Sequence, residues 1–278
     1  MNNINISIVL YKNNINAIKK VISSCLSLRL IYRIYLIDNS PIDEFRVFSN
    51  IDKRIRYIFN NNNLGFGKGH NIAFIESIKD NIIYHLVLNP DVYFENEVLE
   101  EIYNFMEGNH DIGLVMPKVL NPDGSLQYLC KLLPTPINVF VRRFLNFGPL
   151  KKFIEKMNYV YEMRFTGYDK IMNVPYLSGC FMFLRTEVLK EIGLFDENFF
   201  MYFEDIDLSR RIHQKYRTVY YPFVSIYHEY AKGSYKYKKL LKYHIKSAIY
   251  YFNKWGWFFD KERNIINEET LKKLRYKK

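Results

Sequence analysis

Residues Phe199-Phe200-Met201-Tyr202-Phe203-Glu204-Asp205-Ile206-Asp207 set three carboxylates directly after a run of aromatic and apolar side chains. Adjacent acids repel, and acids beside large apolar groups are poorly solvated. Both effects raise a carboxylate pKa unless a cation or donor compensates. A carboxylate held in a cleft, as a proton acceptor or beside a metal, fits this pattern. A plain helix start fits it too, because Glu204 and Asp205 would gain from the helix dipole. Four other features carry candidate chemistry. Asp38 ends an apolar segment and can accept from the base or ribose of a nucleotide, or cap its own turn. The stretch from Asn61 to Asn71, with Asn63, Gly65, Gly67 and Lys68, is a glycine-rich loop opening a helix. It suits backbone approach to a phosphate with Lys68 adding charge, or it is a flexible turn; its spacing matches neither the P-loop nor the dinucleotide fingerprint. Asn89-Pro90-Asp91 follows the apolar Leu86-Val87-Leu88. A carboxylate there can hold Mg2+ or Mn2+ between substrate phosphates, or cap the next helix. His228 follows Val224-Ser225-Ile226-Tyr227, as a late metal ligand or a satisfied structural histidine.

The elements that must position these residues alternate in type. Ile4 to Leu10, Ile31 to Ile37, Ile55 to Phe59, Ile82 to Leu88 and Ile112 to Met116 read as strands. Ile15 to Leu28, Phe66 to Ile78 and Glu95 to Met106 read as helices. Repeated strand–helix units imply a parallel sheet flanked by helices, with ligands at the carboxyl ends of the strands. From 117 to 175 the alternation stops and six prolines intervene. That stretch reads as a hairpin or loop followed by a helical insertion around 137 to 160. A strand at Phe181 to Leu184, a helix at Glu187 to Ile192, the acid run with its helix, a strand at Thr218 to Tyr220 and a basic aromatic helix from Lys236 to Trp257 follow. The expected organisation is one catalytic domain over 1–230, with a donor half (1–116) and an acceptor half (117–230), and a C-terminal helical extension over 231–278.

The net charge of +11 points to an anionic partner. Basic residues cluster at Arg142, Arg143, Lys151 and Lys152; at Lys232, Lys236, Lys238, Lys239, Lys242 and Lys246, interleaved with Tyr235, Tyr237 and Tyr243; and at Lys272, Lys273, Arg275, Lys277 and Lys278. Nucleic acid, anionic lipid and a phosphorylated substrate each fit, as does a solvated cationic face. Cys25, Cys130 and Cys180 have no paired spacing, which argues against a disulfide framework or a cysteine zinc site and for buried thiols. No apolar run reaches spanning length and the N-terminus lacks a signal-peptide pattern, so the expected location is the cytoplasm.

Taken in order, these segments resemble the inverting nucleotide-sugar glycosyltransferases of family 2, which have the GT-A fold, and most closely their rhamnosyltransferase-like branch. The matching segments are Ser7-Ile8-Val9-Leu10-Tyr11, Ile37-Asp38-Asn39-Ser40, Asn63-Leu64-Gly65-Phe66-Gly67 with Asn71, Leu88-Asn89-Pro90-Asp91-Val92, Ser178-Gly179-Cys180-Phe181-Met182, and Gly193-Leu194-Phe195-Asp196-Glu197 with the acid run and Arg211. The resemblance implies a Rossmann-like, mostly parallel sheet. It implies that Tyr11 and Asp38 sit at the nucleotide base and that the Asn63–Asn71 loop lies along the nucleotide. Asp91 matches the last acid of the family's Asp-X-Asp motif, with Asn89 in place of the first. That leaves few carboxylates for Mg2+ or Mn2+, so His228 is expected to help. Asp205 is implied as general base, Glu204 as its neighbour at the acceptor, and Ser178 and Gly179 as the floor between donor and acceptor. Asp207 is expected to pair with Arg210 or Arg211, and Phe200, Tyr202 and Phe203 to wall a sugar pocket. The implied reaction moves rhamnose or a similar hexose from a dTDP- or UDP-sugar to a saccharide or lipid-linked acceptor of a bacterial surface polysaccharide. The basic tail would meet an anionic membrane or a lipid-diphosphate acceptor, or pack on the domain with its lysines in water. A sugar-phosphate nucleotidyltransferase is the alternative, although its glycine-rich loop belongs near the first strand and here follows the third. A nucleic-acid-binding module is disfavoured, because strand-end carboxylates repel phosphates without a metal.

Overall fold

The computed structural model describes residues 3–144, 150–229 and 238–276. Lys232, Lys236, Lys277, Lys278, Tyr235 and Tyr237 lie outside these residues, as do the side chains of Arg142 and Arg143. In β1 (Ile4–Leu10), Ile4, Ile6, Ile8 and Leu10 alternate with the polar Asn5 and Ser7, and all six are buried. The chain continues through α1 (Ile15–Leu26), capped by the Asn14 side chain accepting from the Asn16 amide, β2 (Ile31–Asp38), β3 (Ile55–Phe59), α2 (Phe66–Lys79) and β4 (Tyr84–Leu88). The four strands run parallel in the order β3-β2-β1-β4. The order reverses between β1 and β4, and that reversal opens a crevice at their carboxyl ends.

Asn5 and Ser7 survive burial because they are hydrogen-bonded. Asn5 donates to Ser77, Ser77 meets His85 Nδ1, His85 Nε2 meets Ser7 Oγ, and Ser7 Oγ meets His70 Nδ1, all within 2.7–2.8 Å. Burial holds both imidazoles neutral, with His70 pushed down to about 3.

β5 (Val92–Tyr93), α3 (Glu97–Glu107) and β6 (Ile112–Leu120) follow, then β7 (Cys130–Lys131), α4 (Pro136–Phe144), α5 (Leu150–Tyr161), β8 (Met172–Asn173), β9 (Tyr176–Leu177) and β10 (Phe181–Arg185). The expected insertion around 137–160 is thus α4 and α5. β10 enters the sheet between β4 and β6, antiparallel to both, so the sheet is mixed. α6 (Thr186–Ile192), α7 (Glu204–His213) and β11 (Arg217–His228) complete the domain. The strand expected at Thr218–Tyr220 extends to His228. Pro222 lacks an amide, and the ladder with β6 skips between Tyr221 and Ser225 before resuming, so two apparent segments are one strand.

α8 (Lys238–Trp255) corresponds to the helix expected over Lys236–Trp257, and a second helix not singled out in the sequence, α9 (Lys261–Lys273), follows it. Ala248, Tyr251 and Phe252 of α8 pack on Phe199, Phe203 and Ile206 at the start of α7. Arg210, fully buried, makes two bonds of 2.7 and 2.8 Å to Asp260, pairs with Glu262, and lies over the Trp255 ring. The extension therefore braces α7. Its lysines Lys238, Lys239, Lys242 and Lys246 are exposed. All three cysteines are buried and free.

Candidate active site

Tyr11 follows β1 and is 40% exposed at the crevice. Asp38 ends β2 and is fully buried; Oδ1 accepts from the Ser40 amide at 2.8 Å and Oδ2 from the Tyr57 hydroxyl at 2.6 Å. It holds the turn together in the way a turn aspartate does. Asn39 Nδ2 donates to Gly65 O, which ties this turn to the glycine-rich loop. Asn63 Oδ1 accepts from the Gly65 amide.

Gly65 has φ +86°, and a Cβ there would lie 2.2 Å from the Phe200 carbonyl oxygen. The Phe66 amide donates to that same oxygen at 3.0 Å. The donor-side loop and the aromatic run before the acids are thus joined backbone to backbone, and only glycine fits. A Cβ on Gly67 would meet Phe195 Cβ at 2.9 Å, so this position sets how closely α2 packs. Two loop residues act differently from expectation. Asn71 is buried, and its amide clamps the Phe195 backbone in both directions and bonds Glu197. That clamp uses the groups expected to meet a nucleotide. Lys68 pairs with Glu197 at 3.0 Å, both exposed, so its charge is already answered.

On the far side of the crevice, β5 pairs with β11 so that His228 faces Val92, and the Glu229 amide donates to Asp91 O. This register places Asp91 Oδ1 3.4 Å from His228 Nε2. Asp91 Oδ1 is buried without a hydrogen-bond partner, and Asn89 Nδ2 lies 3.5 Å from the same imidazole nitrogen. Burial opposes a charge on His228, but Cys180 and Asp91 outweigh it and raise its pKa to about 10. An orphaned carboxylate oxygen beside an imidazole nitrogen is a donor set that Mg2+ or Mn2+ accepts once it displaces the proton. Among the described residues no group of three or more His, Cys, Asp or Glu side chains could hold an ion.

Asp205 lies in the first turn of α7 and is partly exposed. Its Oδ2 accepts from the Gly179 amide at 2.9 Å and the Tyr176 hydroxyl at 3.2 Å; its Oδ1 accepts from the Ile206 amide at 2.9 Å. Burial raises its pKa above the ordinary carboxylate range, against the pull of the Gly179 amide and the Lys131 charge. Glu204 is buried, and Oε2 has no hydrogen-bond partner. Burial first, and then the Asp205 charge, push its pKa up to about 8. The pair thus divides into a neutral buried acid and a carboxylate with access to solvent.

Ser178-Gly179-Cys180 connects the Asp205 and Asn89–Asp91 sides of the crevice. Gly179 N holds Asp205, while Cys180 O accepts from the Asn89 amide at 2.9 Å. A Cβ on Gly179 would lie 3.1 Å from Asp205 Cβ, which is why the bridge can pass so close. Tyr176 and Lys131 were not visible as site residues. They oppose one another in the two-residue strands β9 and β7, too short for any periodicity to mark.

Tyr202 and Phe203, immediately before the acids, have φ of +71° and +69°. Two successive non-glycine residues in this region store about 1–3 kcal/mol each and persist only where the surroundings enforce them. Here α8 does so. Tyr202 and Phe203 pack on His244, Phe203 also on Tyr251, and Ser247 Oγ donates to Met201 O. Phe203, expected at a sugar pocket, is core, and Phe200 lies against Tyr243. Asp207 pairs with Arg211 as expected, and also with Lys254 and Trp255 Nε1.

Comparison with known proteins places this arrangement. The low-salt glycan biosynthesis hexosyltransferase Agl10 of Haloferax volcanii is 28% identical over 177 residues, 63% of this chain and 52% of that protein. The N-acetylglucosaminyl-diphospho-decaprenol L-rhamnosyltransferase of Mycobacterium tuberculosis is 26% identical over 151 residues, 54% of this chain and 48% of its own length. The chain thus spans about half the length of the curated relatives it matches. Among solved structures, GalNAc-T7 with UDP, GalNAc and Mn2+ superposes with a TM-score of 0.60 over 82% of this chain and 43% of that one, at 14% identity. S. aureus TarS 1–349 in complex with UDP gives 0.56 over 96% of this chain and 70% of that one, at 15% identity. At such identities the likeness is one of fold, the GT-A fold. These matches lend no support to the nucleotidyltransferase alternative. The family described as glycosyltransferase like family 2 matches residues 18–245, which include every residue of the crevice except Tyr11, and the chain belongs to that family.

Proposed function

We propose that the protein is an inverting, metal-dependent glycosyltransferase that moves a hexose, rhamnose or a similar sugar, from a dTDP- or UDP-sugar to a saccharide or lipid-linked saccharide acceptor in surface-polysaccharide synthesis. The observation that carries this reading is the Ser178–Cys180 bridge. It holds the partly exposed Asp205 at one end and the Asn89–Asp91 turn at the other. The names of the relatives, a hexosyltransferase and a rhamnosyltransferase of a lipid diphosphate, support it, as do solved relatives of the fold holding UDP or Mn2+.

In this reading residues 1–116 form the donor half. Tyr11 faces the base, the Asn63–Gly67 loop follows the nucleotide, and Asp91 with His228 holds Mg2+ or Mn2+. A divalent cation held by Asp91 and His228 would neutralise the diphosphate and so improve the leaving group. Asp205 accepts the proton of the acceptor hydroxyl as that oxygen attacks the anomeric carbon from the face opposite the nucleotide, and displacement inverts the centre. Three donors fix the carboxylate, so little reorientation is needed during transfer. Glu204, protonated at neutral pH, leaves a single negative charge at the acceptor. The exposed lysines of α8, a helix without acids, would attract an anionic membrane or a lipid-diphosphate acceptor. Among the described residues no helix is long and apolar enough to cross a membrane.

The test is incubation with dTDP- and UDP-sugars, Mn2+ and a panel of saccharide and lipid-linked acceptors. Transfer with inversion is expected. Asp205→Asn should lose about 10²–10⁴-fold in turnover while still binding donor. Full activity in that variant removes Asp205 as base, and pyrophosphate release from a nucleoside triphosphate and a sugar phosphate would favour a different enzyme class.

A further inference from the structure

His228 can offer a cation only one nitrogen, and its neighbours determine which. The turn from Asn121 to Ser125 after β6 leads to Gln127, a buried residue. Gln127 Nε2 donates at 2.8 Å to the His228 carbonyl oxygen and at 2.8 Å to Asn121 Oδ1, while Gln127 Oε1 lies 3.1 Å from His228 Nδ1. A carbonyl oxygen only accepts, so the NH2 group must face it and Oε1 must face the ring. Nδ1 is then the donor. The polarity is set again from the other end. Asp123 Oδ1 accepts from Ser125 Oγ at 2.6 Å, so that hydroxyl accepts from Asn121 Nδ2 at 2.9 Å, and Asn121 turns its oxygen to Gln127. Every link from the Asp123 carboxylate to the imidazole points one way.

We infer that Gln127, locked by Asn121, is a positioning residue that keeps the proton on His228 Nδ1 and aims the Nε2 lone pair at the cation beside Asp91. The inference rests on the reading of Asp91 and His228 as metal ligands. An acceptor of this kind behind a ligating imidazole fixes the ring orientation as well as the tautomer.

The experiment is titration of the full chain with Mn2+, read by EPR of the free ion, for wild type, H228A, D91A, Q127L and the H228A/Q127L double variant. Q127L should weaken Mn2+ binding about ten- to a hundredfold. It should add nothing in the H228A background, because its effect passes through the imidazole. N121A, at a partly exposed turn position, frees the Gln127 amide to flip; a smaller loss in the same direction is expected there, even if Q127L fails to fold. Unchanged affinity in Q127L and N121A, or an equal loss with and without His228, overturns the role of Gln127 and leaves the ligands standing. Unchanged affinity in D91A and H228A overturns the metal reading and the inference with it. In long-range 1H–15N spectra of the Mg2+-loaded protein the His228 proton should sit on Nδ1; a proton on Nε2 overturns the inference.

Discussion

Glu204→Gln tests the division of labour in the acid pair. Glu204 is 4% exposed, and Oε2 has no partner to lose. Burial and the Asp205 charge lift its pKa from 4.5 up to about 8. Between those values the folded carboxyl keeps a proton that the unfolded chain has released. Stability is therefore fully present below 4.5, falls as pH rises through the window, and is lost above 8. Each pH unit is worth up to about 1.4 kcal/mol, so the whole window amounts to roughly 5 kcal/mol. The glutamine side chain copies the protonated acid in shape and cannot ionise. Urea denaturation of both proteins between pH 5 and 8.5 should give curves that meet at the acid end and diverge upward, with the variant the more stable at pH 8.5. The difference isolates Glu204, because His70, His85, His213 and His228 titrate in both proteins. Turnover at neutral pH should stay close to wild type, since the wild-type side chain is uncharged there. Parallel stability curves, or a loss of turnover as large as that of Asp205→Asn, would refute a neutral Glu204.

Three further outcomes are expected. Asp91→Ala should weaken donor binding in the presence of Mn2+ but not in its absence, measured by titration calorimetry; equal affinity with and without the substitution would contradict its ligand role. Gly65→Ala forces a Cβ to 2.2 Å from Phe200 O at φ +86°, so it should cost at least the roughly 1–3 kcal/mol of such strain and abolish the thermal shift given by UDP. Arg210→Met leaves the Asp260 carboxylate buried without its main partner; a loss of about 3–5 kcal/mol in denaturation is expected, and an unchanged midpoint would mean that α9 does not brace α7.

The strand–helix rhythm of the first half was legible because each element carries its own period. The short apolar run from Ile4 to Leu10 and the helical spacing from Ile15 through Cys25 match β1 and α1 nearly to the residue. Where partners come from distant parts of the chain, legibility ended. Asn71 looked like part of a nucleotide loop, yet its partner is the backbone of Phe195, 124 residues on. Lys68 looked free for a phosphate until Glu197 was brought beside it. Tyr176, Lys131 and Gln127 lie in two-residue strands or beside a turn, where no periodicity singles them out. Pro222 divided one strand into two apparent ones, because a missing amide looks the same in sequence whether a strand ends or bulges.

The sequence by itself determined which groups could do chemistry and where they lie: Asp38, Asn89, Asp91 and His228 at strand ends, and the acids after an aromatic run at a helix start. These follow from local composition and from backbone periodicity, which act over a few residues. Only the tertiary structure decided their surroundings. It buried Glu204 and left Asp205 partly exposed, set Asp91 Oδ1 beside His228 through the β5–β11 register, and joined the Asp205 carboxylate to the Asn89 amide through Gly179 and Cys180. Protonation and ligation depend on desolvation and on distances of about 3 Å between residues far apart in the chain, and those distances exist only once the sheet has closed and α8 has packed against the acid run.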